Sequence, residues 1–226
     1  MFPGVLTDHA RVYSLVSIGG LKSGRANLVT REVAALAARP MRGQSIRGVL
    51  FDIPQEEFAP YVEREHRYRI EQRPVIQWTG SESIEGDIIN AFICLEQTDE
   101  EYLASLSGGS DEWQDRVGKY YPAEDGGEGG RLWGRRDILP MTNYMADVIV
   151  AASTLGKEWL EDAVDNTFMV DGKTSLRTYV RDRLTSGDSD MLRQALVERS
   201  LKLPATEGEG RPGSGNTLLD YMVQEK

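Results

Sequence analysis

Strand-like and helix-like residue patterns are segregated along this chain, and this order limits its fold class more than any other feature. Residues 68–78 (YRIEQRPVIQW) alternate between apolar and polar side chains with a period of two, which is typical of a β-strand. Pro74 within them predicts an edge or bulged position, because proline cannot donate to a sheet. From Thr142 onward, apolar residues recur at helical spacing. Strands followed by helices predict an α+β fold rather than a doubly wound parallel sheet.

Other segments of the first half also predict strands. They are residues 10–18 (ARVYSLVSI), rich in β-branched and aromatic side chains, residues 45–53 (SIRGVLFDI), with apolar residues on one face, and residues 87–96 (DIINAFICLE), apolar on both faces like a central strand. Residues 32–40 (EVAALAARP) are ambiguous, because alanine suits a helix. Pro40 ends this segment early and strands flank it, so we expect a strand here too.

The remaining segments predict loops, helices and a tail. The first helix starts at an N-cap candidate, Thr142, and stops at Gly156, and three further helical patterns follow it up to Leu201. Residues 107–130 are loop-rich and end in an acidic glycine tract. We therefore divide the chain into a strand-rich core (1–106), an acidic glycine-rich loop region (107–141), a helical extension (142–203) and a flexible, linker-like tail (204–226).

Composition excludes several classes of partner and of fold. The 36 acidic and 26 basic residues give a formal net charge of −10, which argues against nucleic acid or an anionic membrane surface as the main partner. No apolar run approaches the roughly 18–20 residues of a membrane span. A single cysteine, Cys94, rules out an internal disulfide, and we expect it to be a buried, inert thiol on a strand. With two histidines beside it, a structural zinc site has too few ligands, so we expect no metal.

Glu65 occupies a position where an apolar residue is expected. Phe58, Tyr61 and Val62 stand at i, i+3 and i+4 of a short helical pattern, and Glu65 stands at i+7, on the face that normally turns toward the core. Because proline is unfavourable inside a helix, we expect a turn over residues 54–58 and a short helix from Pro60 to His66.

Two interpretations of Glu65 remain open from the pattern. In the first, Glu65 lies in a partly apolar pocket that raises its pKa, so that the carboxylate can act as a general base. In the second, it is a glutamate at a helix end that pairs with Arg64, Arg67 or Arg69 while its stem covers apolar surface.

Other candidate residues allow similar pairs of interpretations. His66 can shuttle protons or serve as an ordinary hydrogen-bonded histidine. Arg135 and Arg136 can bind an anionic group or form salt bridges on an acidic protein. The glycine-rich stretches neither follow a strand nor open a helix, so they are poor phosphate loops, and no nucleophile-elbow spacing is present.

One segment resembles a known family. Residues 47–70 (RGVLFDIPQEEFAPYVEREHRYRI) are similar to the central segment of the γ-glutamylcyclotransferase-like family, which includes the ChaC-type enzymes. In that family a strand, here Gly48–Phe51, leads into a short helix that ends in an acidic residue, here Glu65. Residues 10–17 (ARVYSLVS) are similar to its second strand. Residues 133–156 and 168–180 resemble the helical extension of plant and algal members.

The resemblance implies both a fold and a reaction. The fold would be a small mixed β-barrel with flanking helices and a C-terminal helical extension. The substrate would be a small-molecule γ-glutamyl compound, glutathione or another γ-glutamyl amide, whose own α-amino group attacks the γ-carbonyl and releases 5-oxoproline. Glu65 would be the catalytic acid and base, no metal or cofactor would be needed, and Tyr68, Tyr144 and Gly4 would contact the substrate.

The resemblance also leaves an alternative and a departure. The family's Y-G-S-L-like substrate loop has no counterpart here, and Gly4 lies near where that loop would end, so the barrel core is expected to be N-terminally incomplete. The alternative is a non-catalytic member that binds a protein partner through the C-terminal helices from Thr142. The expected compartment is cytoplasmic or plastid, without a visible targeting peptide.

Overall fold

The computed structural model describes residues 1–78, 86–122, 130–186, 190–201 and 215–223. Over these ranges the chain has a mixed α+β fold, as the order of the sequence patterns predicts. The strands are β1 (Phe2–Val16), β2 (Glu32–Leu50), β3 (Arg69–Gln77), β4 (Ile88–Leu95), β5 (Leu139–Pro140) and β6 (Thr167–Phe168).

The helices lie mostly after the four long strands. They are α1 (Ile18–Lys22), α2 (Gln55–Arg64), α3 (Asp99–Ser105), α4 (Gly109–Trp113), α5 (Thr142–Leu155), α6 (Lys157–Asp165), α7 (Leu176–Thr185), α8 (Asp190–Leu201) and α9 (Gly215–Val223). A π-helical turn, Gln114–Gly118, follows α4. Across the described ranges, no helix combines the length and apolar character that crossing a membrane requires.

Two antiparallel hairpins form most of the sheet. β1 pairs with β2 over nearly its whole length, and β3 pairs with β4 from Arg69 to Ile76. The hairpins also join each other, since β1 pairs with the end of β3 and β2 pairs in parallel with β4 at Ala38 and Leu95. The pairings β1–β2–β4–β3 therefore return to β1. The short strands β5 and β6 extend β2 and β1.

β2 is one long strand, where the sequence patterns predict two. Its register against β1 passes from Thr7 opposite Ser45 to His9 opposite Pro40. Residues 41–44 are thus accommodated as a bulge, and they do not break the strand. Asp8 has a φ of 54° at this point, and its carboxylate accepts a hydrogen bond of 2.8 Å from the Gly43 N–H.

β4 is not the central strand that its apolar sequence predicts. One side pairs with β3 along the strand, whereas the other side pairs at Leu95 alone among the described residues. Ile88 is 70% exposed and Phe92 is 44% exposed. Residues of both faces of β4, from Ile89 to Cys94, border a cavity described below. In β3, the second side of the strand is paired only at Ile76 and Gln77 among the described residues, so Pro74 lies at an edge, as predicted for an edge or bulged position.

The hydrophobic core lies between the helices and the hairpin end formed by Tyr13–Val16 and Val33–Ala37. α5 packs Met145 and Ile149 into it, both fully buried. α5 ends at Gly156, whose φ of 120° favours glycine. Thr142 is the first residue of α5 and not its N-cap, which is Met141, and the Thr142 hydroxyl donates to Glu32 Oε1 at 2.9 Å.

Two regions contain more structure than their composition predicts. Within the predicted loop region, α4 and the π-helical turn are present, and Leu132 and Trp133 are buried. Most of the acidic glycine tract, residues 123–129, lies outside the described residues. In the predicted flexible tail, α9 buries Leu218 and Met222 in the core, which corrects that prediction, while residues 202–214 and 224–226 are outside the described ranges.

Candidate active site

Helix α2 carries Glu65 at its C-terminal end. The helix spans Gln55–Arg64 and contains Pro60, whereas the sequence predicts a turn before Pro60. Proline removes one helical N–H, the partner of the Glu56 carbonyl. Both residues are exposed, so water can satisfy that carbonyl. Glu65 is the C-cap residue, and its N–H donates to the Tyr61 carbonyl at 3.0 Å.

The Glu65 side chain is 26% exposed and contacts Arg64 Nε at 3.0 Å. This pair is one of the arrangements expected for a glutamate at a helix end. Arg64 is 69% exposed, and a pair of this kind stabilises a protein by less than about 1 kcal/mol. The other predicted partners, Arg67 and Arg69, contact His66 and a glutamate of β3 instead. The Arg64 contact therefore holds the carboxylate only weakly.

Three predicted site residues, Glu65, Tyr68 and Tyr144, lie close together. Burial raises the pKa of the Tyr68 and Tyr144 phenols, and the nearby Glu65 carboxylate raises the pKa of both further. Both tyrosines also bind the backbone of Leu36. The Tyr68 hydroxyl donates to the Leu36 carbonyl at 2.9 Å, and the Leu36 N–H donates to the Tyr144 hydroxyl. The two rings are thereby fixed beside Glu65.

Tyr61 and Cys94 form the next contact on the same face of α2. The Tyr61 hydroxyl lies 3.3 Å from Cys94 Sγ. Burial is the main cause of a raised pKa for both groups, and the Glu65 carboxylate adds to it. Cys94 therefore stays a thiol at neutral pH, which fits the inert role expected of it. The Tyr61 hydroxyl likewise keeps its proton.

A largely apolar cavity of about 500 Å³ opens beside this cluster. Side chains of β1, β2, β4 and α2 line it. One end is bordered by Leu36, Tyr61 and Cys94, and aromatic residues including Phe58 and Phe92 line a wall. Glu65 itself does not line the cavity, but its charge acts on Tyr61 and Cys94, which do.

Gly4 also lines the cavity, but far from Glu65. It pairs with Gln77, the last residue of β3, whereas Tyr68 immediately precedes that strand. Gln77 lies nine positions after Tyr68 along extended chain, which corresponds to about 30 Å. A Cβ on Gly4 would lie 2.7 Å from Leu50 Cδ1 and 2.8 Å from Val75 Cγ1. Gly4 therefore permits close packing at the far end, and the structure does not bring it together with the tyrosines.

Arg11 is a cavity residue that the sequence patterns did not single out. Its Nη2 donates to Asp162 Oδ2 at 2.9 Å and to the Arg47 carbonyl. Its Nη1 is buried and has no hydrogen-bond partner among the described residues. The sequence feature that could have identified Arg11 is its position as the one cationic residue of the apolar strand segment ARVYSLVSI.

His66 forms hydrogen bonds through both ring nitrogens, as expected if it is an ordinary hydrogen-bonded histidine. Its Nδ1 lies 2.8 Å from the Tyr102 hydroxyl, and its Nε2 lies 3.1 Å from Arg67 Nη1. Burial, followed by the positive charges of Arg67 and Arg116, lowers the pKa of His66 to about 4. The imidazole is therefore neutral at pH 7.

Of the two arginines that the sequence singled out, Arg135 forms a salt bridge. This residue is buried, and its guanidinium contacts Asp137 at 2.6 and 2.8 Å and also contacts Tyr121. Arg136 is exposed and borders a second, polar cavity of about 690 Å³. Arg39, another residue of this cavity, is paired with Glu96.

Within the described part of the chain, no three His, Cys, Asp or Glu side chains are grouped so as to hold a metal ion. Comparison of the chain with family models, with curated proteins and with solved structures finds no match.

Proposed function

We propose that this protein is a γ-glutamylcyclotransferase-like enzyme that converts a γ-glutamyl amide into 5-oxoproline and a free amine. The observation that carries the proposal is the position of Glu65. Glu65 ends helix α2, its side chain is three-quarters buried, and its charge acts on Tyr68, on Tyr144 and on two cavity residues, Tyr61 and Cys94. A partly buried carboxylate near a cavity is a candidate general base.

The arrangement of the strands supports the same proposal. The pairings of β1, β2, β4 and β3 return to the starting strand, which is the pattern of a small barrel. In the proposed enzyme this barrel is the γ-glutamylcyclotransferase-like core, with the cavity in its interior. The helices after Thr142 cover one end of the β1–β2 hairpin and leave the cavity uncovered.

The proposed reaction needs one proton carrier. Glu65 takes a proton from the substrate's α-ammonium group, and the freed amine attacks the γ-carbonyl carbon of the same molecule. The new carbon–nitrogen bond closes the five-membered ring, and Glu65 returns the proton to the leaving nitrogen as the amide bond breaks. The ring nitrogen then gives up a second proton, and the released amine takes it up to become an ammonium ion. The cavity holds the chain folded for attack. Tyr61, whose hydroxyl keeps its proton, can donate a hydrogen bond to the developing oxyanion.

The decisive assay measures 5-oxoproline release by mass spectrometry from glutathione and a panel of γ-glutamyl amides. We expect Glu65→Gln to abolish release, because the amide cannot accept the proton, while the melting temperature stays unchanged. Glu63→Gln is the matched control. Glu63 lies two residues away on the same helix, is 66% exposed and pairs with Arg116. Equal turnover by Glu65→Gln and the unmodified protein would end the proposal.

A second candidate function is non-catalytic protein binding by the same fold. The observation that favours it is the set of exposed apolar side chains beside the cavity: Phe51 (59%), Ile88 (70%) and Phe92 (44%). Exposed apolar patches often mark interaction sites. This function requires that no γ-glutamyl amide yields 5-oxoproline, and turnover that depends on Glu65 would contradict it.

A further inference from the structure

Helix α2 lies against the apolar cavity and has no buried residue of its own. Of its ten residues, only Phe58 and Tyr61 are partly shielded from solvent, and the others are exposed. Phe58 and Tyr61 are also the two residues of α2 that line the cavity. One face of the helix therefore meets the cavity and the remainder meets water. On this side, α2 is the layer between the cavity and the solvent.

Helix α7 has the same length as α2 but is packed much more firmly. Four of its ten residues are buried, and the Ser175 side chain caps its first turn. In α2, the N-cap residue Pro54 makes no side-chain hydrogen bond, and Pro60 removes a backbone donor. Segments that bury little apolar surface open at a low cost in free energy. We therefore expect α2 to open more readily than α7.

The contacts of α2 with strand β4 are made by the same two aromatic side chains. The rings of Phe58 and Phe92 have centroids 4.8 Å apart, and the Tyr61 hydroxyl lies 3.3 Å from Cys94 Sγ. Phe92 is 44% exposed, so this apolar contact is only partly removed from water. The ion pair of Glu63 described above is mostly exposed and holds the helix only weakly.

The two ends of α2 differ in how they are held. After the helix, the Tyr68 hydroxyl donates to the Leu36 carbonyl at 2.9 Å, and the Tyr68 N–H donates to the Glu65 carbonyl at 2.8 Å. Before the helix, residues 51–54 form neither helix nor strand, and three of them are exposed. The C-terminal end is thus the fixed one, and Glu65 lies at it.

We propose that α2 is a hinged lid of the cavity, which opens about its Glu65 end and carries Phe58 and Tyr61 away from β4. Apolar ligands enter the cavity while the lid is open, and Phe58 and Tyr61 complete the cavity wall when it closes. Weakly packed segments serve as lids because their opening costs little free energy. Access to the cavity through this lid does not rest on the proposed reaction.

The rate at which Cys94 reacts with the bulky disulfide reagent DTNB measures the opening. Cys94 is the only cysteine of the chain, lines the cavity and contacts Tyr61 of the lid. We expect Phe58→Ala to increase the rate about tenfold, because the contact with Phe92 is lost. Val62→Ala, an exposed position on the same helix, is the matched control and should change the rate by less than about twofold. Equal rates for Phe58→Ala and the unmodified protein would overturn the lid.

Hydrogen exchange distinguishes lid opening from a cavity that is merely enlarged by the substitution. In the unmodified protein we expect protection factors at least about 100-fold lower in α2 than in α7, and this comparison needs no variant. Phe58→Ala should lower protection in α2 by the same factor as it raises the labelling rate. Equal protection of α2 and α7, or faster labelling without faster exchange in α2, would refute the lid.

A core variant tests whether Cys94 is exposed by unfolding of the whole protein. Ile149→Ala removes a fully buried side chain of α5 and leaves the contacts of α2 intact, so we expect an unchanged labelling rate. A rate increase as large as that of Phe58→Ala would mean that only global unfolding exposes Cys94, and it would overturn the lid. Because none of these measurements uses 5-oxoproline release, failure of the lid and failure of the proposed reaction are told apart.

Discussion

The two ends of strand β2 differ in what covers them. The start of the strand lies beneath the helices, where Val33 is 1% exposed and Ala34 is fully buried. Its end borders the cavity, where Val49 is 42% exposed. The same ladder to β1 runs through both ends. The covered end thus provides the packing that stabilises the fold, and the uncovered end leaves room for a ligand.

The ion pairs that β2 itself forms at its two ends also differ in exposure. At the covered end, the Glu32 carboxylate accepts hydrogen bonds from Arg183 at 2.7 Å and from Thr142 at 2.9 Å, and its side chain is 7% exposed. This cluster fastens the start of β2 to α5 and α7. Near the cavity, Arg47 pairs with Glu158, which is 62% exposed. If the division is correct, equivalent changes at the two ends have unequal effects on stability.

The largest expected effect is at the covered ion pair. Glu32→Gln leaves Arg183 without its buried counter-charge, and we expect it to lower the free energy of unfolding by about 3 kcal/mol. Glu158→Gln, the matched change at the exposed pair, should cost less than about 1 kcal/mol. Urea denaturation at pH 7 measures both. Similar losses in the two variants would remove the distinction between the ends.

Side-chain truncation gives the next largest contrast. Ile149→Ala removes a fully buried side chain of α5 and should lower the free energy of unfolding by about 2–5 kcal/mol. Phe92→Ala removes a larger side chain that is 44% exposed, and we expect a loss of about 1 kcal/mol, because much of its surface is already in water. Denaturation curves that ranked Phe92→Ala as the more damaging change would place the core at the cavity.

A methyl group at Gly4 tests how tightly the far end of the cavity is packed. The added Cβ would meet side-chain atoms of Leu50 and Val75 closer than real contacts allow, and both side chains would have to shift. We expect Gly4→Ala to destabilise the protein by about 1–3 kcal/mol. Because Gly4 is remote from Glu65, the rate of 5-oxoproline release should change little. Gly48→Ala, which meets nothing within 4 Å, is the control, and equal melting temperatures for the two variants would contradict the packing.

A pH dependence through His66 is a separate expected effect on stability. Its pKa is lowered from 6.5 to about 4 in the folded protein, so between these values the unfolded chain binds the extra proton. The contribution of His66 to stability is therefore complete above pH 6.5 and is lost as the pH falls toward 4. His66→Gln should flatten this part of the curve of unfolding free energy against pH. An unchanged slope in the variant would show that His66 is not the titrating group.

Local patterns in the sequence determined several features of the protein. The α+β class follows from strand alternation before residue 100 and helical spacing after Thr142, and Gly156 marks the end of α5. The unusual position of Glu65 is also visible in the spacing of its helix. These features depend on residues a few positions apart, which a sequence pattern records directly.

Only the tertiary structure decided which distant residues meet. It joined residues 32–50 into one strand through the bulge opposite Asp8, paired the second side of β4 at Leu95 alone among the described residues, and docked Leu218 of the predicted tail into the core. It also placed Arg11 in the cavity and separated Gly4 from Tyr68. Strand register and helix docking depend on contacts between residues far apart in sequence. These contacts stabilise the protein only when the distant segments pack together, so a local sequence pattern does not record them.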